Sequence, residues 1–160
     1  MELGRRYMAD DLNGRLSRLL PGGKGLWIPM DHGISGYPEK GLENMDELVE
    51  SCISAGADAI VLQKGVLSHQ VQRTRWKNFV MHASASTVHG GARSGNKVLV
   101  GNAIEALKRG ASALSCQINL GDEMEFKMIE SAGFLTSSAF EHNIPCLLYT
   151  SDAADEVLGV

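Results

Sequence analysis

The residues best suited to chemistry are Asp31, His32 and Gly33, which directly follow a short apolar run at residues 26–30. Such a run before a glycine-containing loop predicts a buried strand that ends just before the carboxylate. In α/β enzymes the catalytic groups come from strand ends, because the sheet is rigid there and the following loop shapes a pocket. Asp31 is therefore a candidate catalytic residue, although an aspartate after a strand also commonly caps a turn through its side-chain oxygen.

Two nearby basic side chains have both a functional and a structural interpretation. His32 could contact a substrate, or it could orient the loop through a hydrogen bond. Lys64 ends a second apolar run and is the Schiff-base candidate that the sequence alone offers, because burial or a neighbouring cation can make a lysine amine nucleophilic. An arbitrary lysine at a strand end is far more often solvated or ion-paired, and we expect this for Lys64.

The remaining polar candidates give weaker signals. His82 and His89 could join Asp31 or His32 around a metal ion, but their spacing does not match a metal-binding motif. We therefore expect no metal site. The hydroxyl groups of Ser84, Ser86 and Thr87, at the end of the third apolar run, could contact a substrate, but strand-end hydroxyls more often satisfy backbone groups of a loop.

Strands and helices must alternate to position these groups. Apolar runs predict strands at residues 26–30, 59–63, 79–84 and 113–118, and Ile144-Pro145 opens a fifth. Apolar periodicity predicts helices at residues 9–20, 44–54, 98–109 and 122–142. Asn44 is the expected N-cap of the second helix, with Glu47 three residues further on.

A weak internal repeat indicates how these elements are connected. Gly56-Ala57-Asp58-Ala59-Ile60 recurs as Gly110-Ala111-Ser112-Ala113-Leu114, and each copy ends a predicted helix and enters a predicted strand. Successive βα units produce such a recurrence and imply a parallel sheet with right-handed crossovers. Strand centres without polar alternation indicate that helices or other residues cover both faces of the sheet.

Two α/β architectures fit this order of elements: an open doubly wound sheet and a (β/α)8 barrel. No GxGxxG pattern follows the first strand, which weakens the dinucleotide-binding form of the open sheet. A complete barrel needs about 250 residues. The 160 residues of this chain, with four to five βα units, would form the N-terminal half of one.

Composition excludes several classes of protein. Hydrophobic residues make up 44% of the chain and charged residues 21%, as in ordinary globular domains. The net charge is −4 without a long basic run, so we expect no nucleic-acid partner. Apolar stretches fall short of the roughly 20 residues of a membrane span. Three widely spaced cysteines and an N-terminus without a secretory apolar core predict a cytoplasmic protein with reduced thiols.

From about Met1 to Pro145 the chain resembles the archaeal-type class I aldolases, a (β/α)8 group. This group includes fructose-bisphosphate aldolases and 2-amino-3,7-dideoxy-D-threo-hept-6-ulosonate synthase, an early enzyme of an alternative aromatic amino-acid route. The matching motifs occur in the family's order: Pro29-Met30-Asp31-His32-Gly33, Gly41-Leu42-Glu43-Asn44, Gln63-Lys64-Gly65, Ser84-Ala85-Ser86-Thr87, Lys97-Val98-Leu99-Val100 and Gly110-Ala111-Ser112-Ala113.

The resemblance implies a lyase that joins or splits phosphorylated sugars through a lysine Schiff base, without a metal or organic cofactor. It implies that Asp31 is the proton acceptor and that residues Asp31, His32, Gly33, Ile34 and Ser35 line the substrate. It also implies a homo-oligomer for the intact enzyme. The family's Schiff-base lysine lies on the sixth strand, so we expect these 160 residues alone to be inactive.

The last part of the chain departs from the family. Residues 146–156, Cys-Leu-Leu-Tyr-Thr-Ser-Asp-Ala-Ala-Asp-Glu, resemble the translation of a sequencing-library adaptor. We therefore predict two segments: a partial aldolase-type barrel at residues 1–145 and a non-native tail at residues 146–160. Tyr149 falls near the place of the family's proton-donating tyrosine, at the end of the fifth strand, and we treat this position as a coincidence.

Two other functions stay open at this point. The first is a metal-dependent lyase, which would lose its activity to a chelator. The second is an inactive half-barrel that associates with itself to cover the open edges of its sheet.

Overall fold

The computed structural model describes residues 11–32 and 40–152, in which strands and helices alternate. The helices are α1 (Leu12–Leu19), α2 (Met45–Ser54), α3 (Lys64–Thr74), α4 (Ala103–Arg109) and α5 (Glu125–Glu141). The strands are β1 (Trp27–Pro29), β2 (Ala59–Gln63), β3 (Phe79–His82), β4 (Ser84–Ala85), β5 (Val98–Leu99), β6 (Ala113–Leu120) and β7 (Cys146–Asp152). Short 3₁₀ segments cover Pro21–Gly23 and Val88–Arg93.

Five strands form one parallel sheet in the order β1-β2-β3-β6-β7. Val61 on β2 pairs with Pro29 on one side and Val80 on the other, while Leu114 on β6 pairs with Met81 and Cys146. Strands β4 and β5 pair with each other in a separate antiparallel ribbon. The predicted α/β class with about five parallel strands is confirmed.

Side chains from β2, β3 and β6 pack on both faces of the sheet. Ile60, Leu62 and Met81 belong to the large core that the sheet shares with helices α2 to α5. Ala59 and Val61 face the other way and pack with Leu19 of α1, which is fully buried. Because both faces are covered, the strands carry apolar runs rather than a simple alternation of apolar and polar residues.

Several predicted elements have the bounds that the sequence indicated. Strand β2 covers residues 59–63 as predicted, and the side chain of Asn44 caps α2 by accepting the N–H of Glu47 at 3.4 Å. Gly56 and Gly110 end their helices with φ angles of 86° and 88°. This left-handed conformation explains why the repeat contains a glycine at both places.

Other predictions were wrong in detail. The helix expected at residues 98–109 begins only at Ala103, because Val98 and Leu99 pair with β4 and the side chain of Asn102 caps the new start. The sequence pattern did not reveal α3, which follows β2 without a linker and contains Gly65 in its first turn. Its buried positions include the polar Gln70, so the apolar periodicity is weak.

No helix among the residues at 11–32 and 40–152 is both long enough and apolar enough to cross a membrane.

Two glycine substitutions test the local accounts of α4 and α5. Gly110→Ala is expected to lower the free energy of unfolding by about 1–2 kcal/mol, because a β-carbon is strained at positive φ. Gly133→Ala is the matched control. It lies inside α5, where an added β-carbon contacts nothing within 4 Å, and it is expected to raise the free energy of unfolding by about 0.5–1 kcal/mol. Urea denaturation measures both changes, and equal effects of the two substitutions would contradict the assigned helix end.

Candidate active site

Polar side chains meet in a pocket of about 250 Å³ at the carboxyl edge of the parallel sheet. The ionisable and amide groups that line it include Asp31, His32, His82, Lys97, Gln117 and Tyr149. Asp31 and His32 follow β1, His82 ends β3, and Gln117 and Tyr149 lie opposite each other on β6 and β7. The pocket is therefore built from the strand ends, where the sequence analysis placed the chemistry.

Strand periodicity explains why these residues share one face. On β2, Ala59 and Val61 face the small core beneath the pocket, and Gln63 lies two residues further along on the same side. On β3, Val80 faces that core and His82 follows at the next position of the same face. The inner face of the sheet thus changes from small apolar groups to polar groups at its carboxyl edge.

His82 contacts three polar side chains at the pocket. Its Nδ1 atom lies 2.9 Å from Ser115 Oγ and 3.4 Å from Asp31 Oδ2, and its Nε2 atom lies 3.1 Å from Ser84 Oγ. Only 4% of the His82 side chain and 14% of the Asp31 side chain are exposed. The acid and the imidazole are therefore held together with little access to water.

Backbone contacts fix the groups around this pair. The backbone N–H of Gln117 donates to Ser84 Oγ at 3.0 Å. The side-chain amide of Gln63 donates to the carbonyl oxygens of Asp31 at 3.2 Å and of Ser84 at 3.4 Å. Gln63 thus connects the end of β1 with the residue that begins β4, and it holds Asp31 beside His82.

Burial dominates the electrostatics of the pocket. Burial lowers the pKa of His82 below its ordinary value, and the Lys97 and His32 charges lower it further, while the Asp31 carboxylate acts in the opposite direction. Burial raises the pKa of the Tyr149 phenol to about 12, and the negative charge of Asp31 adds to this rise. At neutral pH the imidazole is therefore uncharged and the phenol is protonated.

The structure brings some of the predicted site residues together. Asp31 and His32 both line the pocket, while Gly33, Ile34 and Ser35 lie outside the described residues. The proton-acceptor role of Asp31 and the substrate contacts of residues 31–35 stay predictions.

Lys64 does not line this pocket. Its Nζ atom donates to the carbonyl oxygen of Val100 at 2.6 Å and lies 3.3 Å from Glu105 Oε1. Lys64 begins α3, one residue after β2 ends. The ion-paired interpretation of this lysine is the one that the structure supports.

The part of the chain that the structure describes contains no group of three or more histidine, cysteine, aspartate or glutamate side chains arranged to hold a metal ion. His89 lies in the 3₁₀ segment and is exposed, whereas His82 is buried in the pocket.

Sequence reasoning missed the central place of His82. Because His82 lies inside an apolar run, the only role that the sequence suggested for it was that of a metal ligand. A usable signal was the position of His82 two residues after Val80 and two residues before Ser84, which puts polar groups at the end of an otherwise apolar strand face. Lys97 and Gln117 gave no comparable signal.

Comparisons with known proteins agree with this geometry. A model of the DeoC/LacD family aldolases matches residues 26–155. The chain is 34% identical over 134 residues to 2-amino-3,7-dideoxy-D-threo-hept-6-ulosonate synthase 1 of Archaeoglobus fulgidus. The matched stretch covers 83% of this chain and 50% of the relative. It is 36% identical over 122 residues to 2-amino-4,5-dihydroxy-6-oxo-7-(phosphonooxy)heptanoate synthase of Streptomyces griseus. This match covers 75% of the present chain and 44% of the Streptomyces protein.

A solved structure shows the same fold. An archaeal fructose 1,6-bisphosphate aldolase superposes with a TM-score of 0.71 at 23% identity, over 86% of this chain and 56% of the aldolase. The five parallel strands thus correspond to about half of an aldolase barrel. The chain likewise spans about half the length of the curated relatives named above.

Proposed function

The chain belongs to the DeoC/LacD aldolase family, and we propose that the complete protein is a class I, Schiff-base aldolase that acts on a phosphorylated sugar. Asp31 is its proton acceptor in this proposal, and residues 31–35 line the substrate. The Archaeoglobus relative is named as an amino-dideoxy-heptulosonate synthase and the Streptomyces relative as an amino-(phosphonooxy)heptanoate synthase, and these names support a substrate of this class. A role in aromatic amino-acid biosynthesis is the corresponding expectation.

The observation that carries the proposal is the position of the Asp31 carboxylate. It follows β1 at the carboxyl edge of the sheet, its side chain is 14% exposed, and it shares a pocket with polar groups of five other strands. Barrel enzymes place their catalytic groups at this edge. A carboxylate used only to cap a turn would not need to enter such a pocket.

The chemistry requires a lysine amine and a base. The amine adds to the ketone carbon of the sugar, and loss of water leaves an iminium ion. Asp31 then takes the proton of the hydroxyl group on the carbon to be released. As that hydroxyl becomes a carbonyl, the carbon–carbon bond breaks and its electron pair moves toward the iminium nitrogen, giving an enamine and an aldehyde.

These 160 residues do not supply the amine in this proposal. Lys64 is engaged by Val100 and Glu105 and does not line the pocket. Lys97 lines the pocket, but it precedes β5, whereas the resembling family carries its nucleophile on the sixth barrel strand. The nucleophile is therefore expected further along the coding sequence, and the tail at residues 146–160 is proposed to be non-native.

Self-association is a further part of the proposal. Three phenylalanines of α5 are exposed, Phe126 by 63%, Phe134 by 69% and Phe140 by 81%. Apolar groups at this density on one helix favour a covered position in an assembly. The homo-oligomer expected for the intact enzyme is consistent with them.

Borohydride trapping with a ketose phosphate tests the proposed function. We expect no substrate-dependent covalent label on the 160-residue chain, and a label on a downstream lysine of the protein encoded by the uninterrupted gene. Asp31→Asn in that protein is expected to keep the label but to lower kcat by about a hundredfold to ten-thousandfold, since the base acts after the iminium forms. Lys64→Arg, at a lysine that does not line the pocket, is the matched control and should keep both the label and turnover.

Two results would contradict this account. A label on Lys97 or Lys64 of the 160-residue chain would place the nucleophile within the first half of the barrel. Turnover that survives Asp31→Asn but disappears with a chelator would instead favour a metal-dependent lyase.

A further inference from the structure

A line of polar contacts runs through the pocket from the backbone of β6 to the side chain of Asp31; its first two links are hydrogen bonds, and its last is an N–O approach of 3.4 Å. The Gln117 N–H donates to Ser84 Oγ, Ser84 Oγ contacts His82 Nε2, and His82 Nδ1 faces Asp31 Oδ2. Ser84 and His82 are both buried, with 2% and 3% of their surface exposed. The proposed function does not assign any role to this line.

The proton positions in this line follow from the chemistry of its two ends. The Asp31 carboxylate can accept hydrogen bonds but cannot donate them. A neutral imidazole is therefore attracted to this carboxylate only if its Nδ1 atom carries the hydrogen. Nε2 is then an acceptor, and the Ser84 hydroxyl, whose oxygen already accepts the Gln117 N–H, can donate to it. The opposite tautomer would set the lone pair of Nδ1 against the carboxylate.

Ser115 completes the surroundings of Nδ1. Its Oγ atom lies 2.9 Å from Nδ1, closer than the 3.4 Å that separates Nδ1 from Asp31 Oδ2. The hydrogen-bond partner of the Nδ1–H group is therefore the Ser115 hydroxyl, and the Asp31 carboxylate lies beside the same N–H group at 3.4 Å. The positive end of the N–H dipole attracts the negatively charged carboxylate at this distance, which gives the carboxylate an orienting contact with the imidazole.

We propose that His82 is a positioning residue of the active site: its Nδ1–H holds the Asp31 carboxylate toward the pocket, and Ser84 fixes the tautomer that makes this possible. The catalytic consequence rests on the proposed function, since it assumes that Asp31 is the base. The proposed contact itself is a property of this chain.

The charged and aromatic groups that face His82 come from three places in the fold. Asp31 and His32 follow β1, Lys97 precedes β5, and Tyr149 on β7 lies with its ring centre 5.7 Å from that of the imidazole. Burial opposes a positive charge on the His82 imidazole, and Lys97 and His32 act in the same direction against the opposite effect of Asp31, so the pKa of His82 is lowered. The imidazole therefore acts as a neutral donor and not as an acid.

Nuclear magnetic resonance of the chain labelled with ¹⁵N-histidine tests the contact between His82 and Asp31 without any need for turnover. We expect the hydrogen of His82 on Nδ1 near neutral pH, with the resonance assigned from the spectrum of His82→Asn. His142 is an internal reference, because its Nδ1 atom lies 2.8 Å from the Ser138 carbonyl oxygen, which can only accept. A His82 hydrogen on Nε2 would overturn the proposal.

Turnover of the protein from the uninterrupted gene tests the consequence. His82→Leu is expected to lower kcat by about tenfold to a hundredfold with little change in KM, since a misplaced group costs rate rather than binding. His82→Asn keeps an N–H donor near the place of Nδ1 and should recover most of the loss. In the Asp31→Asn background His82→Leu should have little further effect, because the two residues act as one unit.

The outcomes separate this proposal from the proposed function. Additive losses from His82→Leu and Asp31→Asn, or equal damage from His82→Leu and His82→Asn in folded protein, would overturn the positioning role. Absence of borohydride trapping in the complete protein would overturn the proposed function. The contact between His82 and Asp31 would then be tested by the tautomer of His82 alone.

Discussion

The register of the parallel strands is the constraint on which the rest of the structure depends. Gln63 pairs with His82, and His82 pairs with Ser115, so three side chains of three strands lie in one row across the sheet. Because Pro29 pairs with Val61, Asp31 reaches the level of Gln63 two residues later. A shift of one residue in any of these pairings would turn the affected side chain to the opposite face.

The same register sets the environment of each group. Below the row, the inner face carries Ala59, Val61, Val80 and Ala113, which pack with Leu19 of the helix that precedes the sheet. This apolar layer excludes water from the floor of the pocket, and burial is accordingly the main cause of the low pKa of His82 and of the high pKa of Tyr149. The fold thus keeps the Asp31 carboxylate beside two groups that are neutral at physiological pH, the His82 imidazole and the Tyr149 phenol, with Lys97 nearby.

The elements that the sequence predicted well are those fixed by local chemistry. The bounds of β2, the cap at Asn44 and the glycine turns at Gly56 and Gly110 follow from residue type and spacing. The elements it missed depend on distant contacts. Strand β5 forms because β4 lies beside it, and α3 forms although its buried face includes the polar Gln70. The partners of His82 are Asp31, Ser84 and Ser115, which lie in three separate segments, so its spacing along the chain could not reveal them.

Titration of Tyr149 tests most directly whether the Asp31 carboxylate faces the pocket. The phenol can be followed by its ultraviolet absorbance, with Tyr149→Phe as the reference for the other tyrosines. We expect a pKa of about 12 in the unaltered chain, and a lower pKa in Asp31→Asn, still above the ordinary value of 10.0 because the ring remains buried. The sign follows from the negative charge of Asp31, which opposes formation of the phenolate. An unchanged Tyr149 pKa in Asp31→Asn would mean that the carboxylate points away from the pocket, and the account would fail.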